Sequence, residues 1–246
     1  MKQNLHEFSP QEKAAFILDL FHRTTVHHGF WFAEAIHQYG REVAFELLGK
    51  VYRQSYGIQM KRLVRFFGGE TDAAGLPEGL TGMKAEQSDQ LIEALSVNWL
   101  ANDGVWFQAI EQQMGMTEAK RCNDSSWANF SPFEASAVRH ILQLGPQPGL
   151  DGLKKALQFR LYAFINKQSI TNETAESFDF VMNDCRVQSA RKRKGMDDYP
   201  CKSGGLIEYT SFARTIDPRI TTECLCCPPD KHPEDYYCVW RFWLKD

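Results

Sequence analysis

No stretch of this 246-residue chain approaches the ~18 to 20 consecutive apolar residues that a membrane-spanning helix requires. The first residues, Met1-Lys2-Gln3-Asn4-Leu5-His6-Glu7, lack the apolar core of a secretory signal, so the expected location is the cytoplasm. An excess of one charge is missing as well. With 28 Lys and Arg against 31 Asp and Glu, the net charge of -3 offers no global attraction to nucleic acid or to an acidic membrane. Low-complexity and collagen-like biases are absent too, because 43% hydrophobic and 24% charged residues are ordinary for a folded protein. What the chain does have is sulfur. Its seven cysteines are odd in number and crowd toward the C-terminal end. In a reducing compartment that pattern points to metal binding or thiol reactivity over a disulfide framework.

Helix signals open the chain. Ser9-Pro10-Gln11-Glu12 is a capping box with proline at the first helical position. Apolar residues recur at Phe16, Leu20, Phe21, Phe32 and Ile36, interrupted at His27-His28-Gly29, and glycine closes the helix at Tyr39-Gly40. A second segment carries Leu91, Leu95, Trp99, Trp106 and Ile110 and ends at Met114-Gly115. Shifted by 75 positions the two segments coincide. Gly29-Phe30-Trp31-Phe32 falls on Gly104-Val105-Trp106-Phe107, Ile17 on Ile92, Leu20 on Leu95, Gly40 on Gly115 and Ala44 on Ala119. Periodicity alone would not place two glycines at matching positions. Two more helical stretches are expected after each segment, ending at Phe67-Gly68-Gly69 and Leu144-Gly145, so a three-helix unit reads as internally duplicated. Such a unit could supply a pseudo-symmetric packing surface that single-copy chains obtain by dimerising, and a homodimer is compatible with it.

Between the copies, Gly68 to Gly82 holds five glycines and a proline, a linker or long loop. A short helix is expected from Leu150 to Phe159. Beyond it the period changes to two: Phe178, Phe180 and Met182 alternate with Asp179, Val181 and Asn183 in a half-buried strand. A basic helix over Val187 to Lys194, a helix over Leu206 to Thr215, and strands over Ile220 to Cys226 and Tyr236 to Leu244 follow, the last two pairing antiparallel. The fold class is therefore α+β: helical units over residues 1–80 and 81–160, then a cysteine-rich α+β region over 161–246 that is continuous with the second unit.

The strand pairing brings Cys224 and Cys227, a C-x2-C pair followed by two prolines, to the edge where Cys238 begins the last strand. Thiolates converging on one turn suit zinc or an iron–sulfur cluster. Cys201 or Cys185 is the expected fourth ligand, with His232 an alternative. Without a metal, the basic neighbours of Cys185 would favour a nucleophilic thiolate. Arg186 could hold a substrate carboxylate in a bidentate pair, while Glu208, Asp103 or His232 could bind substrate or move protons. The buried carboxylate of Asp103 reads equally as an ordinary ion pair, Cys122 as plain core packing, and Arg191-Lys192-Arg193-Lys194 as a solvated face. The expected partner is a small anionic or apolar molecule, not nucleic acid or membrane. An open coordination position would mean catalysis, a closed one a structural, binding or redox-sensing module.

The C-terminal motifs carry a resemblance. Asp184-Cys185-Arg186-Val187-Gln188, Tyr199-Pro200-Cys201-Lys202-Ser203, Ile216-Asp217-Pro218-Arg219-Ile220, Cys227-Pro228-Pro229-Asp230 and Tyr237-Cys238-Val239-Trp240 resemble an uncharacterised family of prokaryotic cytosolic proteins. With Asp103-Gly104-Val105-Trp106-Phe107 the resemblance covers roughly residues 88 to 246. It is similar, more distantly, to the L-2-amino-thiazoline-4-carboxylate hydrolase family, which implies hydrolytic opening of a small cyclic amidine bearing a carboxylate, without transferring any catalytic residue. The cysteine-rich end also resembles the small-molecule-binding vinyl-4-reductase domains.

Overall fold

The computed structural model describes residues 4–40, 43–44, 47–48, 50–51, 54–55, 58–59, 66 and 78–245. The chain divides into two compact units, Met1–Ser126 and Trp127–Asp246. Among the described residues there are seven α-helices, mostly N-terminal, followed by a four-stranded antiparallel sheet. None of these helices is long and apolar enough to cross a membrane.

The first unit is built on two 30-residue helices, α1 (Pro10–Tyr39) and α3 (Ala85–Met114), with one helical turn, α2 (Glu78–Thr81), before α3. The Ser9 hydroxyl accepts from the Glu12 N–H and Glu12 answers to the Ser9 N–H, the reciprocal cap expected of that motif. On α3 only half of such a box forms: the Lys84 N–H donates to the Gln87 side chain at 3.3 Å, and a lysine side chain cannot accept the return bond. Both helices stop at glycine because the closing residue takes positive φ, +81° at Gly40 and +92° at Gly115. Each cap N–H then donates to the carbonyl four residues back, Ile36 or Glu111. α1 runs unbroken through His27-His28-Gly29, where the sequence suggests an interruption; His27 is buried and helps to fill the seam. The glycine-rich connection, read as loop, turns helical at α2, and the helices expected between residues 41 and 67 lie largely outside the described residues.

After Gly115 the two expected stretches are one helix, α4 (Met116–Leu142), within which the boundary between the units falls. Pro132 sits inside it, and the buried neighbours Phe130, Ser131, Glu134 and Ala135 hold the turns on both sides of the proline.

In the second unit, α5 (Gly149–Leu157) leads to the strands β1 (Lys167–Thr171) and β2 (Ser177–Asp184), then to α6 (Arg186–Arg193) and α7 (Lys202–Ile216). β3 (Ile220–Cys226) and β4 (Cys238–Leu244) complete the sheet. Its order is β1-β2-β4-β3, every pair antiparallel, and β3 pairs with β4 as the sequence predicts. β2 is a central strand buried on both faces, not half-buried as its alternation suggests. Its one buried charge, Asp179, is held by Arg241 on β4 at 2.7 Å. α7 crosses the sheet where Trp240 is fully buried, and a Cβ on Gly205 would lie 2.6 Å from the Trp240 ring. Gly205→Ala is therefore expected to cost roughly 1–3 kcal/mol through overpacking. Chemical denaturation measures this, and an unchanged midpoint would mean the indole has room to yield.

Candidate metal centre

Three separate pieces of backbone deliver the thiols. Cys201 is the N-cap of α7. Cys224 and Cys227 lie at the end of β3, where the register with β4 slips between Cys224 and Cys226. Cys238 opens β4 opposite Met182 of β2. Local bonds lock the first two pieces together: the Lys202 N–H donates to the Pro228 carbonyl at 2.9 Å, and Lys202 Nζ meets the Asp230 carboxylate at 2.7 Å.

At the centre stands Cys227, buried and within hydrogen-bond distance of Cys201, with Cys224 and Cys238 near enough to act on its thiol. The Cys201–Cys227 sulfur separation is 3.6 Å. The neighbouring thiols raise the Cys227 pKa, and Cys227 lowers those of Cys201 and Cys224, as a thiol proton does for the sulfur that accepts it. Among the described residues, no three Cys, His, Asp or Glu side chains already stand in a ready ligating arrangement. A cysteine turns its sulfur by rotation about a single bond, which is the freedom that neighbouring thiols would use to share an ion.

The surroundings suit sulfur anions. The Gln188 amide is pinned by Tyr199, donating to its carbonyl and accepting from its N–H, both at 2.8 Å. This aims the amide's second hydrogen at Cys201 Sγ, 3.3 Å away. On the opposite side, Trp240 Nε1–H donates to Cys238 Sγ at 3.4 Å. Such outer donors orient ligands and stabilise thiolate charge. Gln188 stands in the Asp184–Gln188 motif, but nothing in the spacing singled it out, and its burial emerges only in the fold.

The remaining predicted residues take varied places. Cys185 is the N-cap of α6, and burial pushes its thiol up to about 12, so it carries a proton at neutral pH. Arg186 beside it is exposed and uses its backbone N–H on Asn166. Cys226, next to Cys227, donates to the Lys231 carbonyl at 3.5 Å.

His232 spends both ring nitrogens on the connection between the ligand-bearing segments. Nε2 is 2.9 Å from Asp198 Oδ2 and Nδ1 2.7 Å from the Pro233 carbonyl, a pairing that satisfies the imidazolium. Burial opposes the charge, but Asp198 and Pro233 outweigh it and the pKa rises above 6.5. Stability from this tie is fully present below the unfolded-state pKa and is lost as pH rises through the higher folded-state value. The thermal midpoint of the native chain should therefore exceed that of His232→Gln most at acidic pH, and the gap should close above neutrality. A gap constant from pH 5 to 9 would contradict a charged His232.

Glu208 belongs to a different constellation. The Arg160 guanidinium bridges Glu134 (Nε to Oε2, 2.9 Å) and Glu208 (Nη2 to Oε1, 2.7 Å), and all three residues are buried. The Leu161 N–H donates to the other Glu134 oxygen at 2.8 Å, and the Phe212 ring lies 4.6 Å from the guanidinium carbon. Burial raises the Glu208 pKa. For Arg160, burial works against the charge but the two carboxylates overcome it, so its pKa rises. Tyr209 follows Glu208 and stacks on Trp240 at 4.7 Å, carrying the packing from this network to the sheet. Glu134 and Arg160 escaped sequence reading because charged residues are ordinarily exposed and nothing in their spacing marks these two as buried.

Asp103 and the thiols lie in different units. Asp103 accepts from Trp31 Nε1–H at 2.9 Å and approaches His27 Nε2 at 3.5 Å. Burial, with the His28 charge adding to it, depresses His27 to about 3, so the imidazole is neutral and this approach is no ion pair at neutral pH. Cys122 is buried and donates to the Tyr39 hydroxyl, as its core reading predicts.

No curated protein and no solved structure matches the chain. Residues 81–244 match the model of a family of unknown function, DUF6125; from α3 to the last strand the chain carries that family's pattern, and it belongs to that family.

Proposed function

We propose that Cys201, Cys224, Cys227 and Cys238 bind one metal ion, zinc being the best fit, in a closed four-thiolate centre that fastens α7 to the β3–β4 edge. The observation that carries this reading is the 3.6 Å approach of the Cys201 and Cys227 sulfurs from two separate segments, with Cys224 and Cys238 neighbouring the same thiol. Tetrahedral coordination at ~2.3 Å per bond sets neighbouring sulfurs about 3.8 Å apart, close to the 3.6 Å between Cys201 and Cys227. In a four-iron cluster no two cysteines share an iron, so the close Cys201–Cys227 pair fits a single ion or a two-iron cluster, and one zinc held by four thiolates is the simpler occupant. Bound zinc would supply charge to hold four thiolates together, and four protein ligands leave no position for substrate. The role that follows is structural or sensing.

Elemental analysis and an absorption spectrum of anaerobically purified protein test this. One zinc per chain without visible absorption is expected; iron with charge-transfer bands would replace the ion by a cluster. Hydrolysis of a small carboxylated amidine would instead need an open position beside the exposed Arg186, which a three-sulfur centre would favour. A cleft of about 440 Å³ in the first unit, lined by Gln54, Gln108, Gln112 and Gln113 with Lys50, suits a polar occupant better than an apolar one.

We propose in addition that α1 and α3 arose by internal duplication. Bounds and closing glycines repeat at an offset of 75, from Pro10–Tyr39 to Ala85–Met114 and from Gly40 to Gly115. The bond from the Ala44 N–H to the Gly40 carbonyl recurs from Ala119 to Gly115, both at 3.1 Å.

A further inference from the structure

The seam between α1 and α3 obeys a rule that ordinary helix packing does not require. Lys13 meets Asp89, His28 lies beside Asn102, and Trp31 meets Asp103, so the two helices run in the same direction. Their polar contacts are reciprocal at the offset of 75. Trp31 Nε1–H donates to Asp103 at 2.9 Å, and Trp106, the residue equivalent to Trp31, donates to His28, the residue equivalent to Asp103, at 3.2 Å. Trp31 and Trp106 are each other's equivalents, and they stack with rings 5° from parallel and centroids 6.2 Å apart. Residue i touching j′ while i′ touches j, with equivalent residues meeting on the axis, is the mark of an isologous two-fold interface. Here both halves belong to one chain.

Burial follows the same correspondence. Ile17 and Ile92, Leu20 and Leu95, Trp31 and Trp106, Ala35 and Ile110, and Ala44 and Ala119 are all buried. Yet the family model begins at residue 81, four positions before α3, and does not include α1. The family model thus spans α3, which carries Trp106 and Asp103, and not α1, which covers that face in this chain. A chain with α3 alone would place Trp106 against Asp103 of a second copy, twice, by the same geometry that α1 satisfies through His28 and Trp31.

We infer that the α1-facing side of α3 is a self-recognition surface for α3 of a second copy, and that α1 occupies it as a tethered substitute. The partner this surface fits is therefore another molecule of the same chain, admitted only when α1 is unseated. This inference does not depend on the metal centre.

Light scattering on the full-length chain tests it. Trp31→Asp introduces a charge on the α1 side of the axis and leaves α3 intact; its mass is expected to double relative to the native chain. Adding Trp106→Asp removes the α3 side and should return the mass to the native value. A Trp31→Asp protein of native mass, or a double variant that stays doubled, would overturn the inference. Should Trp31→Asp fail to fold, a volume exchange one turn beyond the stacked tryptophans decides. Ala35→Ile and Ile110→Ala singly should each lower the thermal midpoint, and together should recover at least half of the summed loss. Losses that simply add would show that the two positions do not face each other across an axis, and would overturn it as well.

Discussion

Cys227→Ser is expected to abolish stoichiometric metal binding and to lower the stability of the second unit by at least ~3 kcal/mol. A structural zinc ion contributes on the order of 10 kcal/mol of apparent binding free energy to the folded state over the unfolded chain. Even a fraction of that exceeds the effect of most single substitutions. Cys227 is the severest position because it is buried and its sulfur lies 3.6 Å from that of Cys201, another proposed ligand. Its immediate neighbour supplies the control. Cys226 bonds to the Lys231 carbonyl, so Cys226→Ser should keep one ion per chain and a near-native midpoint. Elemental analysis and thermal denaturation of the two proteins side by side distinguish the cases; equal metal content would mean that Cys227 is not a ligand.

The second large effect lies in the Arg160 network. Arg160→Leu leaves the carboxylates of Glu134 and Glu208 buried without their cation. Breaking a buried pair by removing one partner costs about 3–5 kcal/mol, because the stranded charge cannot regain its hydration. Glu208→Gln should cost far less, about 1 kcal/mol, since burial already favours the uncharged form of that carboxyl and an amide can still meet the guanidinium. Urea denaturation of both variants gives the comparison. Equal losses would mean that the guanidinium does not discriminate between the charged and neutral partner.

What the sequence made legible follows from local chemistry. The bounds of α1 and the end of α3 could be read almost to the residue because a capping box and glycine stops are written in adjacent positions. β3 and β4 could be read because alternation and a proline-bounded turn are equally local. The predicted pairing of β3 with β4 pointed to Cys224, Cys227 and Cys238 at one edge and left Cys201, Cys185 and His232 open as the fourth ligand. By contrast β1, Lys-Gln-Ser-Ile-Thr, is a polar edge strand with little buried surface and hence no periodic signal. The burial of β2 on both faces comes from its central place in the sheet, which alternation does not encode. His232 looks from sequence like a free acid–base or metal ligand; only the folded chain turns Asp198 and Pro233 toward its two nitrogens. Glu134 and Arg160, 26 positions apart, meet through tertiary packing alone.

X-ray absorption at the edge of the bound metal, on anaerobically purified full-length protein, tests the four-thiol centre most directly. A single shell of four sulfurs at ~2.3 Å is expected. Fewer than four sulfurs, a first shell containing oxygen or nitrogen, or a protein that takes up no metal would contradict it.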